Sequence, residues 1–426
     1  MAKVVRRQWE SDRSSGLSRR DRTACEYDAF LPDPLCGRSY SLDGDVAADV
    51  ADAEAAVRRL NQTAAALADT EALARLLLRA EAVASSRIEG LEVGGRRLLR
   101  AEMAADIGDD ARDVTATEVL GNIEAMRWAT DTLATAPRVD VDGVCEIHRR
   151  LMTGTRNEPI AGVIRNEQNW IGGSSYNPCS AAFVPPPPDE VRSLMEDLCR
   201  FINTDDLPAV VQAALVHAQF ETIHPFVDGN GRTGRSLIHV VLRRRGLVDR
   251  AAPPISLILA TEATQYVAGL TACRYVGDSG SAEAMRGVNR WFATFASATR
   301  RAAMEAVTFE AHIADIQAEW RLALGRVRSK SATDLLIGAL PGAPIVTVKS
   351  AAMLIGRTTQ ATNEAFKALV SNGVLQQINL GRQRNRAYEA PAVIDAFTAF
   401  ERGLASPTGD TWSAPPVRTV PARPVS

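Results

Sequence analysis

None of the six cysteines, Cys25, Cys36, Cys145, Cys179, Cys199 and Cys273, belongs to a CxxC pair or another zinc-ligand spacing. Zinc staples of the common kinds are thereby excluded, and the expectation is reduced thiols in a cytoplasmic protein. The N-terminus, MAKVVRRQWESDRSSGLSRRDR, has charges but no apolar stretch behind them, so it does not read as a secretory signal. No run reaches the apolar length of a membrane span, and there is no internal repeat. An excess of one charge is also missing. Lys and Arg number 49 and Asp and Glu 51, a formal net charge of -2, so overall charge points to neither nucleic acid nor membrane.

What is present is a chain of 426 residues, enough for roughly two to three domains. Its 46% hydrophobic residues can bury a core without disulfides or metal. Residues 1–26 are charged and Ser-rich and are expected to be disordered. Residues 27–135 read as a helical region. One helix in it is capped by Asp69 or Thr70, carries Leu73, Leu76, Leu77 and Ala80 at helical spacing, and stops at Gly90. Residues 160–188 differ in character. Asn169-Trp-Ile-Gly-Gly-Ser-Ser-Tyr-Asn-Pro is turn-rich and Ala181-Ala-Phe-Val is a short apolar run, which together predict a β-hairpin. Prolines 185–188 end it. One helix then spans about 208–223, with Ala213, Val216, His217 and Phe220 on one face, and a second spans about 231–245. Residues 301–340 read as a connecting helix. In 341–400, helical patterns at 351–355 and 360–370 flank Gly356-Arg-Thr-Thr, and runs at 374–380 and 386–389 bracket Gly381-Arg-Gln-Arg-Asn. Helix, turn, helix and a hairpin with a basic tip make a winged-helix pattern. Residues 401–426 form a Pro-rich tail, expected to be disordered.

The chemistry concentrates in His224-Pro-Phe-Val-Asp-Gly-Asn-Gly-Arg-Thr-Gly-Arg235. Glycines on both sides of Asn230 let the backbone turn tightly and approach a ligand. At the start of a helix, the N–H groups there form an anion-binding nest. Arg232 and Arg235, three apart, share a face of the first turn and can each grip phosphate oxygens with two donors. Asp228, a carboxylate beside phosphates, suits Mg2+. His224 has the reference pKa of a general base, and Phe226 reads as an apolar anchor. The parts predict phosphoryl or nucleotidyl transfer, with charge on the phosphate offset by the arginines, Asn230 and magnesium.

This segment resembles the Fic (Fic/Doc) family motif HxFx(D/E)GNGRxxR at every specified position. The resemblance implies an all-helical core at about 136–300, ATP as donor and AMP as the group moved to a Ser, Thr or Tyr hydroxyl of a protein. By position, His224 is the base and Asp228 the metal ligand, and ATP lies on Gly229, Asn230, Gly231, Arg232, Thr233, Gly234 and Arg235. Tyr266 falls where similar proteins place an aromatic near adenine, although core packing explains it equally. Gly162-Val-Ile-Arg165 and Gln168-Asn-Trp170-Ile171-Gly172-Gly173 resemble the family's flap, a hairpin that docks the target peptide by strand addition. Ser85-Ser-Arg-Ile-Glu89-Gly90 resembles its inhibitory motif (S/T)xxxE(G/N), in which Glu89 would pair with Arg235 and occupy the γ-phosphate subsite.

The fold class expected is mainly α: a Fic-type helical core with a β-hairpin flap, plus a C-terminal winged helix. Between Lys349 and Arg386 the basic residues Lys349, Arg357, Lys367, Arg382, Arg384 and Arg386 outnumber Glu364, which suits DNA phosphates. Winged helices also dock proteins or dimerise, and that use is preferred here over DNA. His217 reads as a core histidine, and His148, His239 and His312 as structural. The rival readings are removal of AMP, transfer of UMP, phosphocholine or phosphate, and a DNA-binding regulator whose core senses nucleotide. Self-modification and a homodimer are both compatible with the pattern.

Overall fold

The computed structural model describes residues 1–11, 18, 21–66, 70–106, 113–380 and 385–404. Two strands open the chain, β1 (Lys3–Trp9) and β2 (Cys25–Leu31). Helices follow: α1 (Gly44–Ala66), α2 (Thr70–Ile88), α3 (Gly95–Asp106), α4 (Val114–Trp128), α5 (Val141–Met152), α6 (Pro188–Ile202), α7 (Ala209–Ile223), α8 (Asn230–Arg244), α9 (Ile255–Thr261), α10 (Ala263–Ala272), α11 (Ala282–Leu324) and α12 (Ala332–Ala339). Then come β3 (Ile345–Val346), α13 (Val348–Ile355), α14 (Thr359–Ser371), β4 (Gln376–Leu380), β5 (Asn385–Glu389) and α15 (Pro391–Leu404). The protein is mainly α, as its patterning predicts. No helix among the described residues is long and apolar enough to cross a membrane.

The chain divides into two compact units. The first comprises Met1–Arg58, Gly121–Asp249 and Thr264–Arg300. At its centre lies α7, in which every residue from Ala209 to Ile223 is buried. The polar residues it takes into the core have partners there, as when Gln212 Nε2 donates to the Phe201 carbonyl at 2.8 Å and Gln219 Nε2 to the Asp33 carbonyl at 2.9 Å. Gly234 lets α8 approach it closely, since a Cβ there would stand 2.9 Å from both Phe220 and the Glu221 carboxylate of α7. Trp291 of α11 is fully buried and donates its indole N–H to the Ala214 carbonyl at 2.8 Å, which fixes α11 along α7.

The first unit corrects two expectations. Residues 3–9, read as part of a disordered terminus, form β1, which pairs antiparallel with β2 from Lys3 opposite Leu31 to Trp9 opposite Cys25. The charged Ser/Arg stretch masked the alternation of the strand before it; most of that stretch lies outside the described residues. The hairpin rests on the segment 169–184. Trp9 meets Trp170 edge to face with centroids 5.4 Å apart, and the Phe30 N–H donates to the Val184 carbonyl at 2.9 Å. Nor are all the cysteines thiols: Cys25 and Cys179 form a disulfide. Their separation of 154 residues leaves no local sequence signal. In the chain-entropy picture a loop that long makes the bond worth about 4–5 kcal/mol. Alkylation of the unfolded protein is expected to tag the four remaining cysteines without reductant and all six with it. Six tags in both cases would contradict the pairing.

The second unit comprises Arg59–Leu120, Arg250–Ala263 and Arg301–Ser426. Its core joins Leu73, Leu76, Leu77 and Ala80 of α2, the residues expected at helical spacing, to Phe309, Trp320, Leu336, Phe366 and Phe397. The buried Glu81 carboxylate caps α9, accepting from the Ser256 N–H at 2.7 Å and hydroxyl at 2.5 Å. Helices α12, α13 and α14 precede an antiparallel sheet of order β3-β5-β4, with Gln376 opposite Glu389 in the β4–β5 hairpin. The order of elements is the one the pattern suggests. The helix expected over 301–340 is broken, since α11 ends at Leu324 and α12, from Ala332, packs on α13 and α14. Thr347 and Ser350 form a capping box for α13, and Gly356, at φ +61°, ends it. The expected tail at 401–426 starts late, since α15 continues to Leu404; residues 405–426, and Arg382 and Arg384 of the hairpin tip, lie outside the described residues.

Candidate active site

The motif 224–235 joins α7 to α8. His224 closes α7 in the left-handed region, at φ 51° and ψ 60°, with its N–H donating to the Phe220 carbonyl at 2.9 Å. For a residue with a side chain that conformation costs on the order of 1–2 kcal/mol and persists only where neighbours impose it. The imposing groups are identifiable. Arg165, 3% exposed, donates Nε to the His224 carbonyl at 2.8 Å, Nη2 to those of Pro186 at 2.6 Å and Ile223 at 3.3 Å, and Nη1 to that of Glu167 at 3.0 Å. Its backbone N–H donates to the Pro225 carbonyl at 2.9 Å. Burial lowers the guanidinium pKa to about 10, so it stays charged. Asn169 adds Nδ2 donations to the carbonyls of His224 at 3.2 Å and Phe226 at 3.1 Å.

Past the turn, Asn230 returns its side chain to the loop. Oδ1 accepts from the Phe226 N–H and Nδ2 donates to the Phe226 carbonyl, each at 2.8 Å. Gly229 caps α8 at φ +74°, and a Cβ on it would lie 2.2 Å from the Met152 methyl, so no larger residue fits. Phe226 is fully buried, the apolar anchor expected, and stacks on His148 with centroids 3.8 Å apart. His148 accepts from the Gly162 N–H at Nδ1 (2.8 Å), so Nε2 carries the proton donated to the Asp228 carbonyl at 3.0 Å. Burial pushes this imidazole down to about 4, which keeps it neutral.

The loop leaves Val227 and Asp228 exposed and His224 half-buried, while Asn230, Arg232, Thr233 and Arg235 are buried at the head of α8. A helix N-terminus carries partial positive charge and N–H groups free of intrahelical partners. Two buried guanidinium groups in its first two turns add to that potential, and the site as a whole favours a polyanion. The Asp228 carboxylate accepts from the Gly229 N–H at 2.7 Å and from the Asn157 amide. Among the described residues no three acidic, His or Cys side chains could cage a metal. A single exposed carboxylate beside a phosphate site still fits Mg2+, which is commonly held by one carboxylate, water and substrate phosphates.

Tyr266 sits in the core. It is 5% exposed, its hydroxyl lies 2.8 Å from His217 Nε2, and its ring lies nearly parallel to that of His217. Burial, then the charge of Arg235, lowers His217 to about 3. Its ring also lies 6.1 Å from that of Trp291. Trp170, Ile171, Gly172 and Gly173 stand on a hairpin reduced to one bridge, Ile171 with Phe183, with both glycines at positive φ. Trp170 Nε1 donates to the Ser174 carbonyl at 2.6 Å, and the Ser174 hydroxyl donates to Asp21 at 2.6 Å. Ser85 is buried in α2, and Glu89 is exposed in the turn that follows. The parts of the loop clamp that sequence reasoning did not assign are Arg165 and Asn169, seen only as flap residues, His148, and Asn157, for which no signal exists.

Residues 138–242 match the Fic/DOC family, and residues 47–131 its N-terminal region. Protein adenylyltransferase fic-1 of Caenorhabditis elegans is 30% identical over 154 residues, 35% of this chain and 27% of that protein. Protein adenylyltransferase Fic of Drosophila erecta is 34% identical over 133 residues, 30% of this chain and 25% of that protein. The chain thus spans about a quarter of the length of these curated relatives. A Fic family protein from Desulfovibrio desulfuricans G20 shares the fold, with a TM-score of 0.51 and 19% identity over 84% of this chain and 98% of that one.

Proposed function

We propose that this chain, which matches the Fic/DOC family over residues 138–242, transfers AMP from ATP to a Ser, Thr or Tyr hydroxyl of a protein. The observation that carries the reading is the joint between α7 and α8: a histidine clamped in a strained conformation stands directly ahead of a helix N-terminus with two buried arginines. The triphosphate lies over that N-terminus, with Arg232 and Arg235 on its oxygens. Asp228 would hold Mg2+, which would supply charge neutralisation on the phosphates. His224 takes the proton from the attacking hydroxyl. The hydroxyl oxygen bonds to the α-phosphorus, the bond from that phosphorus to the oxygen bridging to the β-phosphate breaks, and pyrophosphate leaves. Trp170, Ile171, Gly172 and Gly173 align the target chain by strand addition. Tyr266 is not needed for this scheme.

Glu89, on its inhibitory motif with Ser85, restrains the reaction by pairing with Arg235 and spoiling the alignment of the triphosphate. The support for this step is the sequence motif. The competing activity is removal of AMP, in which Glu89 would orient a water. Label position separates the transfers: labelled product is expected from α-labelled ATP, to be diluted by unlabelled ATP and not UTP, and to vanish when Mg2+ is chelated. Label from the γ-position instead would make the reaction phosphate transfer and overturn the reading.

A further inference from the structure

We propose that the C-terminal elements α12–α14 and β3–β5 bind duplex DNA, with the outer face of α14 in the major groove. Only one face of α14 is used internally. Thr362, Ala365, Phe366 and Leu369 are buried and anchor the helix in the core of its unit. Gln360, Asn363 and Lys367, at spacings of three and four, form an exposed stripe. Nothing in the packing of the unit calls for amides on that stripe. Gln and Asn amides each present a donor and an acceptor side by side, the pair that matches the major-groove edge of adenine.

The charges around the helix fit a phosphate backbone. Arg357, just ahead of α14, donates Nη2 to the Lys330 carbonyl at 3.1 Å, which brings the exposed Lys330 to the start of the helix. Arg386 is exposed on β5, in the hairpin opposite Asn379. The acidic side chains nearby are mostly engaged already: Asp334 with Arg321, Glu389 with Arg100 and Asp395 with Arg96. Glu364 is the exposed exception. The chain as a whole carries a net charge of -2, so the positive surface is local to these elements. A protein-docking face would instead need a contiguous apolar patch. Across α13 and α14 the exposed large hydrophobic residues are Met353, Leu354 and Val370, three side chains interrupted by Lys349, Glu364 and Lys367, less than such a patch requires.

The test uses the full-length protein and a pool of short, fluorescently labelled, random-sequence duplexes, read by anisotropy between roughly 50 and 200 mM salt. Binding is expected to weaken as salt rises. Arg357→Ala with Lys367→Ala should weaken it about tenfold and lower the slope of log affinity against log salt by about two. Gln360→Ala with Asn363→Ala should keep the slope and lose the sequence preference selected from the pool. His224→Ala should bind as wild type does, so failure of the transfer reading leaves this one standing. Arg357→Lys guards against a local folding defect by retaining the charge and should restore most of the binding. Absence of binding at the lowest salt would overturn the proposal, as would binding that the Arg357/Lys367 pair does not affect. So would sedimentation showing that wild type self-associates and the Gln360/Asn363 variant does not, since the face would then be a protein interface.

Discussion

Glycine in place of His224 is expected to yield a protein that is as stable as the original or more so, and that has lost transfer. His224 sits at φ 51° and ψ 60°. Glycine occupies that region without the penalty of about 1–2 kcal/mol that a side chain meets there. Against this, glycine gives up roughly 0.5–1 kcal/mol of chain entropy on folding. The net change lies between zero and about 1.5 kcal/mol in favour of the variant. Activity moves the other way, because general-base catalysis contributes roughly a hundredfold to ten-thousandfold. Denaturant midpoints and transfer rates measured on one preparation test the pair of effects. A variant that is clearly less stable would mean that the loop does not hold His224 under strain. One that retains full transfer would remove histidine from the chemistry.

Arg165→Ala is expected to be the most damaging change outside the motif itself. One buried guanidinium satisfies four backbone carbonyls, those of His224, Ile223, Glu167 and Pro186. An unsatisfied buried acceptor costs about 1–3 kcal/mol. Water entering the vacated space and relief of the guanidinium's own desolvation reduce the sum, which leaves a net loss of about 3–5 kcal/mol. For a chain of this size that lowers the melting temperature by roughly 3–6 °C. Arg165→Lys should rescue little, since a single ammonium cannot span the acceptors that the planar fork reaches. Because Arg165 positions His224 and has no part in the transfer step, the surviving folded fraction should show a lower kcat with KM for ATP little changed. Full stability in the alanine variant would show that the clamp is dispensable.

The contrast between these two residues explains what could be read in advance. His224, Asp228 and the glycine–arginine run lie within twelve consecutive positions, so one local pattern carried their chemistry. Leu73, Leu76, Leu77 and Ala80 followed from helical period alone, as did the order of α13, α14 and the β4–β5 hairpin. Arg165 and Asn169 are brought to the loop by the chain's return across about 55–60 positions, and a buried arginine in a loop looks like a surface one in sequence. Asn157 reaches Asp228 from 71 positions away. Cys25 and Cys179 are further apart still. The β1 strand was hidden by its neighbours' composition.

The most direct test of the account is intact-mass and label analysis of the protein after incubation with α-labelled ATP and Mg2+, comparing wild type, Glu89→Gly, and Glu89→Gly with His224→Ala. The account predicts weak self-labelling in wild type, strong labelling with the added mass of one AMP unit in Glu89→Gly, and none once His224 is also replaced. Equal labelling with and without His224, or none from Glu89→Gly while γ-labelled ATP does transfer, would contradict it.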